Sequence, residues 1–415
     1  MKDLLFLAHR IPYPPDKGEK IRAWHVLRHL AERYRVHLAT FIDAPEDVAG
    51  VRHLEEVCAS VVWRKLSPRR ARLRSLAGLL NSAPLTQFYF GDRRLHAEVE
   101  RLAAANNPAL VYVFSSAMAP YVPDRRGVRV ILDMVDVDSE KWRQYAEAGS
   151  GPARMIYRRE GRTLLALERR AASRADAVLL VSRAEAALFA SLAPEVAGRT
   201  HCVGNGVDLA YFDPSLPFAN PLGDRPAIVF TGVMSYRPNV EAMVWFVEQV
   251  MPRLRARAAV PCLWIVGLNP SRAVLALAGP DVRVTGRVPD VRPYLKHAQV
   301  AVAPLLIGRG VQNKVLEAMA MGLPVVATPQ AREGIDSCDD GELLTATTPA
   351  DFAAAIGGVL DGEAGPIGAR ARARVVRDYG WQASLAGLDR LLDSIENAPS
   401  AMTRPATVAP LSVSA

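Results

Sequence analysis

The chain reads as an α/β protein of two doubly wound domains, each with a parallel sheet covered by helices on both faces. Three observations predict this. Its 415 residues exceed one ordinary core, and two domains of about 200 residues are the natural division. Short β-branched or apolar runs alternate with helical patterns along both halves, the rhythm of βαβ units. Between the halves, residues 213–226 read DPSLPFANPLGDRP, and four prolines in fourteen residues make a stiff, extended linker.

In the first half, Leu4–Ala8, Val36–Ile42, Leu110–Phe114, Val128–Leu132 and Ala177–Val181 read as strands. Glu19–Arg33, Gly91–Ala105, Ala153–Ser173 and Arg183–Ala190 carry helical spacing. After the prolines, Ala227–Thr231, Cys262–Val266, Val282–Thr285, Val300–Ala303 and Val325–Ala327 read as strands, and Val240–Leu254 as a helix. Trp381–Glu396 is a final amphipathic helix. The chain then becomes rich in Ala, Pro, Ser and Thr without periodicity, the pattern of a disordered tail. The expected division is a first domain over 1–212, a linker over 213–226, a second domain over 227–380, a helix over 381–397 and a tail over 398–415.

Composition narrows the class. Half the residues are hydrophobic and 23% are charged, as in an ordinary globular enzyme. No apolar run reaches the length of a membrane span, and MKDLLFLAHR reads as a first strand rather than a signal peptide. The expectation is a cytoplasmic protein, peripheral at most to the inner face of the cell membrane. The four cysteines are far apart without CxxC or Cys/His spacing, which argues against zinc and for single thiols in a reducing compartment. Net charge is +8 and the isoelectric point is about 9.4, pointing to nucleic acid, an anionic membrane or anionic substrates. No nucleic-acid motif is present, so nucleic acid is the weakest of the three.

The most informative stretch is GRGVQNKVLEAMAMGLPVVAT, 308–328. A basic glycine loop, Gly308, Arg309 and Gly310, opens through Val311 and Asn313 into an apolar-periodic helix. Lys314 and Glu317 are three residues apart and share one face of it. A glycine loop at a helix N-terminus leaves N–H groups free, and the helix dipole there favours an anion. Arg309 and Lys314 add full positive charge. The physical reading is a diphosphate site, with Glu317 free to accept hydrogen bonds from hydroxyls of the same ligand. A nucleoside diphosphate sugar has both groups.

This stretch resembles the donor-site signature of retaining glycosyltransferases of family 4, which have the GT-B fold. GNGVDLAYFDP (204–214), TGVMSYRPNVEAMVWFVEQVMP (231–252) and VTGRVPDVRPYLKHAQVAVAP (284–304) resemble other family segments. With 11–40, they look most like the sugar transferases of PEP-CTERM/exosortase exopolysaccharide systems. The resemblance implies two Rossmann-like domains with parallel sheets facing a central cleft. It also implies a nucleotide-sugar substrate, no cofactor, and a last helix packing back on the first domain. The usual signature carries two glutamates separated by seven residues. Glu317 is the second, and Arg309 stands at the first.

Other constellations follow from the same reading. The turn from His9 to Gly18 holds three prolines, and Gly18 at the helix start lets a ligand approach the backbone; Asp16 and Lys17 are secondary candidates. Asp133, Asp136 and Asp138 follow a strand's carboxyl end, where parallel sheets bind ligands. They could hold Mg²⁺, or two of them could cap helix starts; Asp136 is favoured as an acceptor-contacting residue. The family often has a histidine in this region, and none lies between His96 and His201. In the loop from Gly232, Arg237 is placed to grip the diphosphate, while Asn239 stands where the family commonly has lysine. Finally, WRKLSPRRARLRSLAGLLN (63–81) has six Lys/Arg between Arg64 and Arg74 and a leucine stripe; it reads as a solvated basic helix or a membrane-surface helix.

The resemblance and the residues together predict a retaining, metal-independent hexosyltransferase. Arg309, Lys314, Glu317 and Asp136 would serve the reaction. Gly18, Gly232, Arg237, Gly308, Gly310, Val311 and Asn313 would bind the donor. The acceptor would be a lipid-linked saccharide, and an anionic membrane surface a partner. The alternatives are an inactive membrane-associated assembly protein of the same fold and a nucleotide-sugar epimerase.

Overall fold

The computed structural model describes residues 1–16, 18–125, 127–307, 311–335, 341–363 and 365–397. They form two compact units, Met1–Val203 with the chain from Leu385 onward, and Gly204–Ser384.

The first unit is built on seven strands: β1 (Lys2–Ala8), β2 (Tyr34–Ile42), β3 (Ser60–Lys65), β4 (Leu110–Phe114), β5 (Arg129–Val135), β6 (Ala177–Leu180) and β7 (Thr200–Cys202), in the order β3-β2-β1-β4-β5-β6-β7. All pairings are parallel; Leu4 sits opposite Val36 on one side and Leu110 on the other. Central strands of such a sheet are covered on both faces, so β1 and β4 are continuous apolar runs rather than alternating ones. The helix Gly18–Arg33 turns Ala23, Trp24, Leu27 and Leu30 inward at helical spacing. Full burial of each leucine stabilises by about 1.5–3 kcal/mol.

The helix Trp381–Asn397 contributes its length from Leu385 onward to this unit. Leu385, Leu388, Leu392 and Ile395 form its buried stripe. Its polar flank is fastened by His29 to Asp389 and Arg33 to Asp393, both at 2.6 Å, and by Tyr34 Oη donating to Glu396 at 2.5 Å.

The second unit holds β8 (Ala227–Thr231), β9 (Cys262–Val266), β10 (Val282–Gly286), β11 (Val300–Ala303), β12 (Val325–Ala327) and β13 (Leu344–Thr345), in the order β10-β9-β8-β11-β12-β13. These pairings are also parallel. Together the two sheets give the doubly wound α/β architecture that the sequence predicts. The expected helix Val240–Leu254 starts earlier, at Arg237, and passes through a π-helical turn at Phe246–Val250 before Met251–Leu254. Pro252 explains the interruption, because it has no N–H to continue the α-helical ladder.

The proline-rich stretch 213–226 contains neither helix nor strand and falls inside the second unit. Lys296 donates to the Pro214 carbonyl at 2.6 Å, and Arg225 to the Val260 and Pro280 carbonyls at 3.0 Å. The expected tail, 398–415, lies outside the described residues. Among the described residues no helix is long and apolar enough to cross a membrane.

Candidate functional site

In an open parallel sheet, ligands bind beyond the carboxyl ends of the strands where the strand order reverses. In the second unit that point lies between β8 and β11. Gly232 begins the loop after β8. The segment after β11 leads into the signature helix, Asn313–Ala320. That helix buries Val315, Leu316, Ala318, Met319 and Ala320. Its end is closed by Leu323 N–H donating to Ala318 at 3.0 Å and Gly322 N–H to Met319 at 2.9 Å. The first turn is therefore held rigidly against the core, and its polar face is left to carry Lys314 and Glu317.

Lys314 Nζ donates to Asn239 Oδ1 at 2.6 Å and stands 4.4 Å from the centre of the Phe230 ring. Asn239 Nδ2 donates in turn to the Val233 carbonyl at 2.9 Å, so the amide is fixed by its own loop. Gly232 makes room for this contact. It has φ +153°, and a Cβ there would meet Asn239 Nδ2 at 2.8 Å and Lys314 Nζ at 3.3 Å. Gly267, at the end of β9, is pressed still closer, since a Cβ on it would lie 1.7 Å from the Gly232 carbonyl oxygen.

Asn239 is neutral, so Lys314 is oriented without being neutralised. No carboxylate lies within ion-pair distance of it among the described residues. Protein surrounds the ammonium, and that desolvation pulls its pKa down to about 7, against a smaller upward effect of Glu317. Desolvation pushes Glu317 up to about 7, opposed by Lys314. The Glu317 carboxyl has no hydrogen-bond partner among the described residues. A narrow cleft beside Lys314 is lined by Thr231, Ala301, Ala303 and Val315 among others. The arrangement thus offers an oriented cation to an anion and an unused acceptor one helical turn away.

The other expected donor-side residues separate into three groups. Gly308, Arg309 and Gly310 lie outside the described residues. Asn313 is the first residue of the signature helix, and its Oδ1 accepts from Asn205 Nδ2 at 3.1 Å. Val311 packs partly buried against the core of the unit. Arg237 starts the helix after the Gly232 loop, where it is exposed and pairs with Glu241 at 2.6 Å.

In the first unit the three aspartates do not act as one cluster. Asp133 is fully buried. It accepts from Arg22 at 3.0 and 3.2 Å and from Tyr112 Oη at 2.7 Å. Asp136 and Asp138 share Lys141 Nζ at 2.9 and 3.0 Å. The two carboxylates and burial act oppositely on Lys141, and the net effect raises its pKa. Neither expected alternative describes them: the following helix has Val137 at its cap with no side-chain capping bond, and among the described residues no three His, Cys, Asp or Glu gather as a metal site. The carboxylates are instead taken up by two cations, Arg22 from a helix 111 residues away and Lys141 from the helix that follows Asp136. Val135, just before Asp136, has φ +67°, a strained conformation for a β-branched residue.

Gly18 is exposed at the start of its helix. Asp16 pairs with Lys20 at 2.9 Å, and Lys17 lies outside the described residues. Sequence reasoning missed Gly267, whose close approach to Gly232 leaves no local signal. At the carboxyl end of β1, His9 Nε2 lies 3.4 Å from Glu19.

Comparison with known proteins gives the family and the fold. Residues 17–206 match the family model "Glycosyl transferase 4-like domain", and residues 225–362 match "Glycosyl transferases group 1". Together the two matches span most of the chain. The chain belongs to the family 4-like glycosyltransferases. No curated protein matches it. Among solved structures, this glycosyltransferase resembles sucrose-phosphate synthase from Thermosynechococcus elongatus, with TM-score 0.70 and 18% identity over 96% of this chain and 100% of that one. It also resembles Anabaena HepE in complex with UDP-glucose, with TM-score 0.65 and 16% identity over 95% and 100%. WaaG, a glycosyltransferase involved in lipopolysaccharide biosynthesis, gives TM-score 0.65 and 14% identity over 95% and 100%. At these identities the likeness establishes the GT-B fold of the glycosyltransferase.

Proposed function

We propose that this glycosyltransferase is a retaining, metal-independent enzyme that moves a sugar from a nucleoside diphosphate donor to a lipid-linked saccharide. The observation that carries the reading is Lys314, held by neutral Asn239 at the switch point of the second sheet, with Glu317 open beside it. As the bond from sugar to phosphate breaks, negative charge develops on the leaving diphosphate. An oriented ammonium in a poorly solvated setting stabilises that charge more than it stabilises the ground state. Glu317 accepts hydrogen bonds from the ribose hydroxyls. Arg309, Gly308 and Gly310 extend the diphosphate grip, on the sequence pattern alone. The acceptor hydroxyl attacks from the face the diphosphate leaves, with Asp136 on the acceptor side. That the HepE structure holds UDP-glucose supports the donor class. The resemblance to PEP-CTERM exopolysaccharide transferases supports the acceptor class and a role in polymer assembly.

Positive charge from side chains and a helix start replaces the metal that a diphosphate otherwise recruits. Incubation with UDP-, GDP- and dTDP-sugars in excess EDTA tests the reading. The expected result is slow donor hydrolysis, or transfer to a saccharide, with an α-anomeric proton in the product of an α-linked donor by NMR. Activity that vanishes in EDTA and returns with Mg²⁺ or Mn²⁺ contradicts metal independence. A β-linked product contradicts retention. Binding without any turnover favours an inactive assembly protein.

A further inference from the structure

Of the large hydrophobic side chains exposed in the first unit, five belong to two segments distant in sequence. Leu73, Leu76 and Leu79 come from the helix Pro68–Ser75 and the 3-10 turn Leu76–Leu80. Met155 and Ile156 come from the first turns of the helix Gly151–Arg174. Leu73 is 70% exposed and Met155 75%.

The structure joins the two segments. Arg159 donates to the carbonyls of Gly78, Asn81 and Ala83. The next residue, Glu160, is fully buried and accepts from the N–H groups of Leu85 and Thr86 at 2.7 and 3.0 Å and from Thr86 Oγ1 at 2.8 Å. Met155 and Ile156 precede Arg159 by four and three residues, so they share its helical face and stand next to the leucine turn. Arg74, expected from the sequence to serve a surface, is instead committed inward. It donates to the Phe88 and Tyr89 carbonyls at 2.7 Å.

Around the apolar side chains lie Arg69, Arg70, Arg72, Arg154, Arg158 and Arg162, all exposed. None of them forms an ion pair among the described residues. No acid occurs between Val57 and Gly91, and the only acid in the first ten residues of the helix Gly151–Arg174 is the buried Glu160. An apolar patch inside a ring of unpaired arginines, without carboxylates, fits an anionic lipid surface: the hydrophobic side chains enter the acyl boundary and the arginines meet the headgroups. Nucleic acid would use the charge but leave the leucines and Met155 in water.

We propose that this two-segment face, with the start of the helix Gly151–Arg174 as half of it, docks the protein on an anionic membrane. Its role rests on the lipid-linked acceptor proposed above, but the binding itself does not require that reading.

Flotation with phosphatidylcholine vesicles, with and without phosphatidylglycerol, tests it on the full chain. Wild type should float with the anionic vesicles at low salt and release as salt rises, since charge attraction is screened over about 10 Å at 0.1 M. Arg154→Gln with Arg158→Gln should weaken partitioning about twenty-fivefold, at about fivefold per well-placed charge. Met155→Glu with Ile156→Glu should weaken it at least about tenfold. Both variants should keep wild-type circular dichroism and hydrolysis of a soluble nucleotide sugar. Wild-type partitioning by both variants overturns the proposal, as does failure of wild type to bind anionic vesicles at low salt. Dissociation of a dimer by the glutamates, without a change in vesicle binding, also overturns it, because a second copy then covers the face. Vesicle binding without nucleotide-sugar turnover would leave the membrane face standing and remove the enzymatic reading instead.

Discussion

Both sheets carry charged side chains at the carboxyl ends of their strands, and they treat charge in opposite ways. In the first unit the three aspartates each meet an opposite charge: Asp133 takes Arg22, and Asp136 and Asp138 take Lys141. In the second, Lys314 is positioned by an amide, and Glu317 by nothing but its helix. A closed network spends its electrostatics on the fold. An open one, held in place by glycines and an asparagine, keeps its electrostatics for a ligand. The desolvated Lys314 and Glu317 are each less stable charged than they would be in water, and that instability is what a diphosphate and a hydroxyl would relieve.

The largest effect should come from breaking the closed network. Asp133→Ala takes the bidentate carboxylate away from buried Arg22 and strips Tyr112 of its acceptor, so unfolding free energy should fall by about 3–5 kcal/mol. Urea denaturation of the two proteins measures it. A loss below about 1 kcal/mol would mean the first cluster is no scaffold and the contrast between the units fails.

Next comes Gly232→Ala, which attacks the open site through its backbone. The added methyl collides with Asn239 and crowds Lys314. Turnover of the donor should fall about ten- to a hundredfold, while stability falls by about 1–2 kcal/mol. Wild-type turnover would show that the position of Lys314 does not matter.

The smallest effect is a pH slope in the first unit. Glu168 is fully buried, and burial pushes its carboxyl up to about 8 despite the Ser139 hydroxyl donating at 2.5 Å. The folded form therefore holds a proton that the unfolded chain loses above about 4.5. This contribution is complete below pH 4.5 and is lost as pH rises through about 8. Glu168→Gln keeps an acceptor for the Ser139 N–H without titrating, so it should lower the slope of melting temperature between pH 6 and 9 and gain on wild type as pH rises. Parallel slopes for the two proteins would contradict it.

The sequence made the middle of each sheet legible. β1, β4, β8, β11 and β12 are buried on both faces, so they appear as unbroken apolar runs. It did not show β3, β7 or β13. β3 is only half-buried, and β7 and β13 are three and two residues long, too short to display a period. Lys314 and Glu317 were visible because their spacing on one apolar helix is local. Gly267 was not, because its need for glycine comes from the backbone of a neighbouring strand. Nor was the use of Asp133: its partner Arg22 is 111 residues away, on the inward side of a helix that reads as ordinary. The leucine stripe was legible, but its other half, Met155 and Ile156, required the folded contact through Arg159.

The most direct test of the open site is calorimetric titration of UDP, GDP and dTDP at pH 8, in two buffers of different ionisation heat. Desolvation pulls the Lys314 pKa down towards about 7, so at pH 8 a bound diphosphate should draw a proton onto it. Wild type should therefore bind one of the three with uptake of nearly one proton, and with affinity falling as pH rises above about 7. Lys314→Ala should bind that nucleotide about ten- to a hundredfold more weakly and without the proton. Equal affinity and equal proton uptake in the two proteins would contradict the assignment of Lys314 as the diphosphate grip.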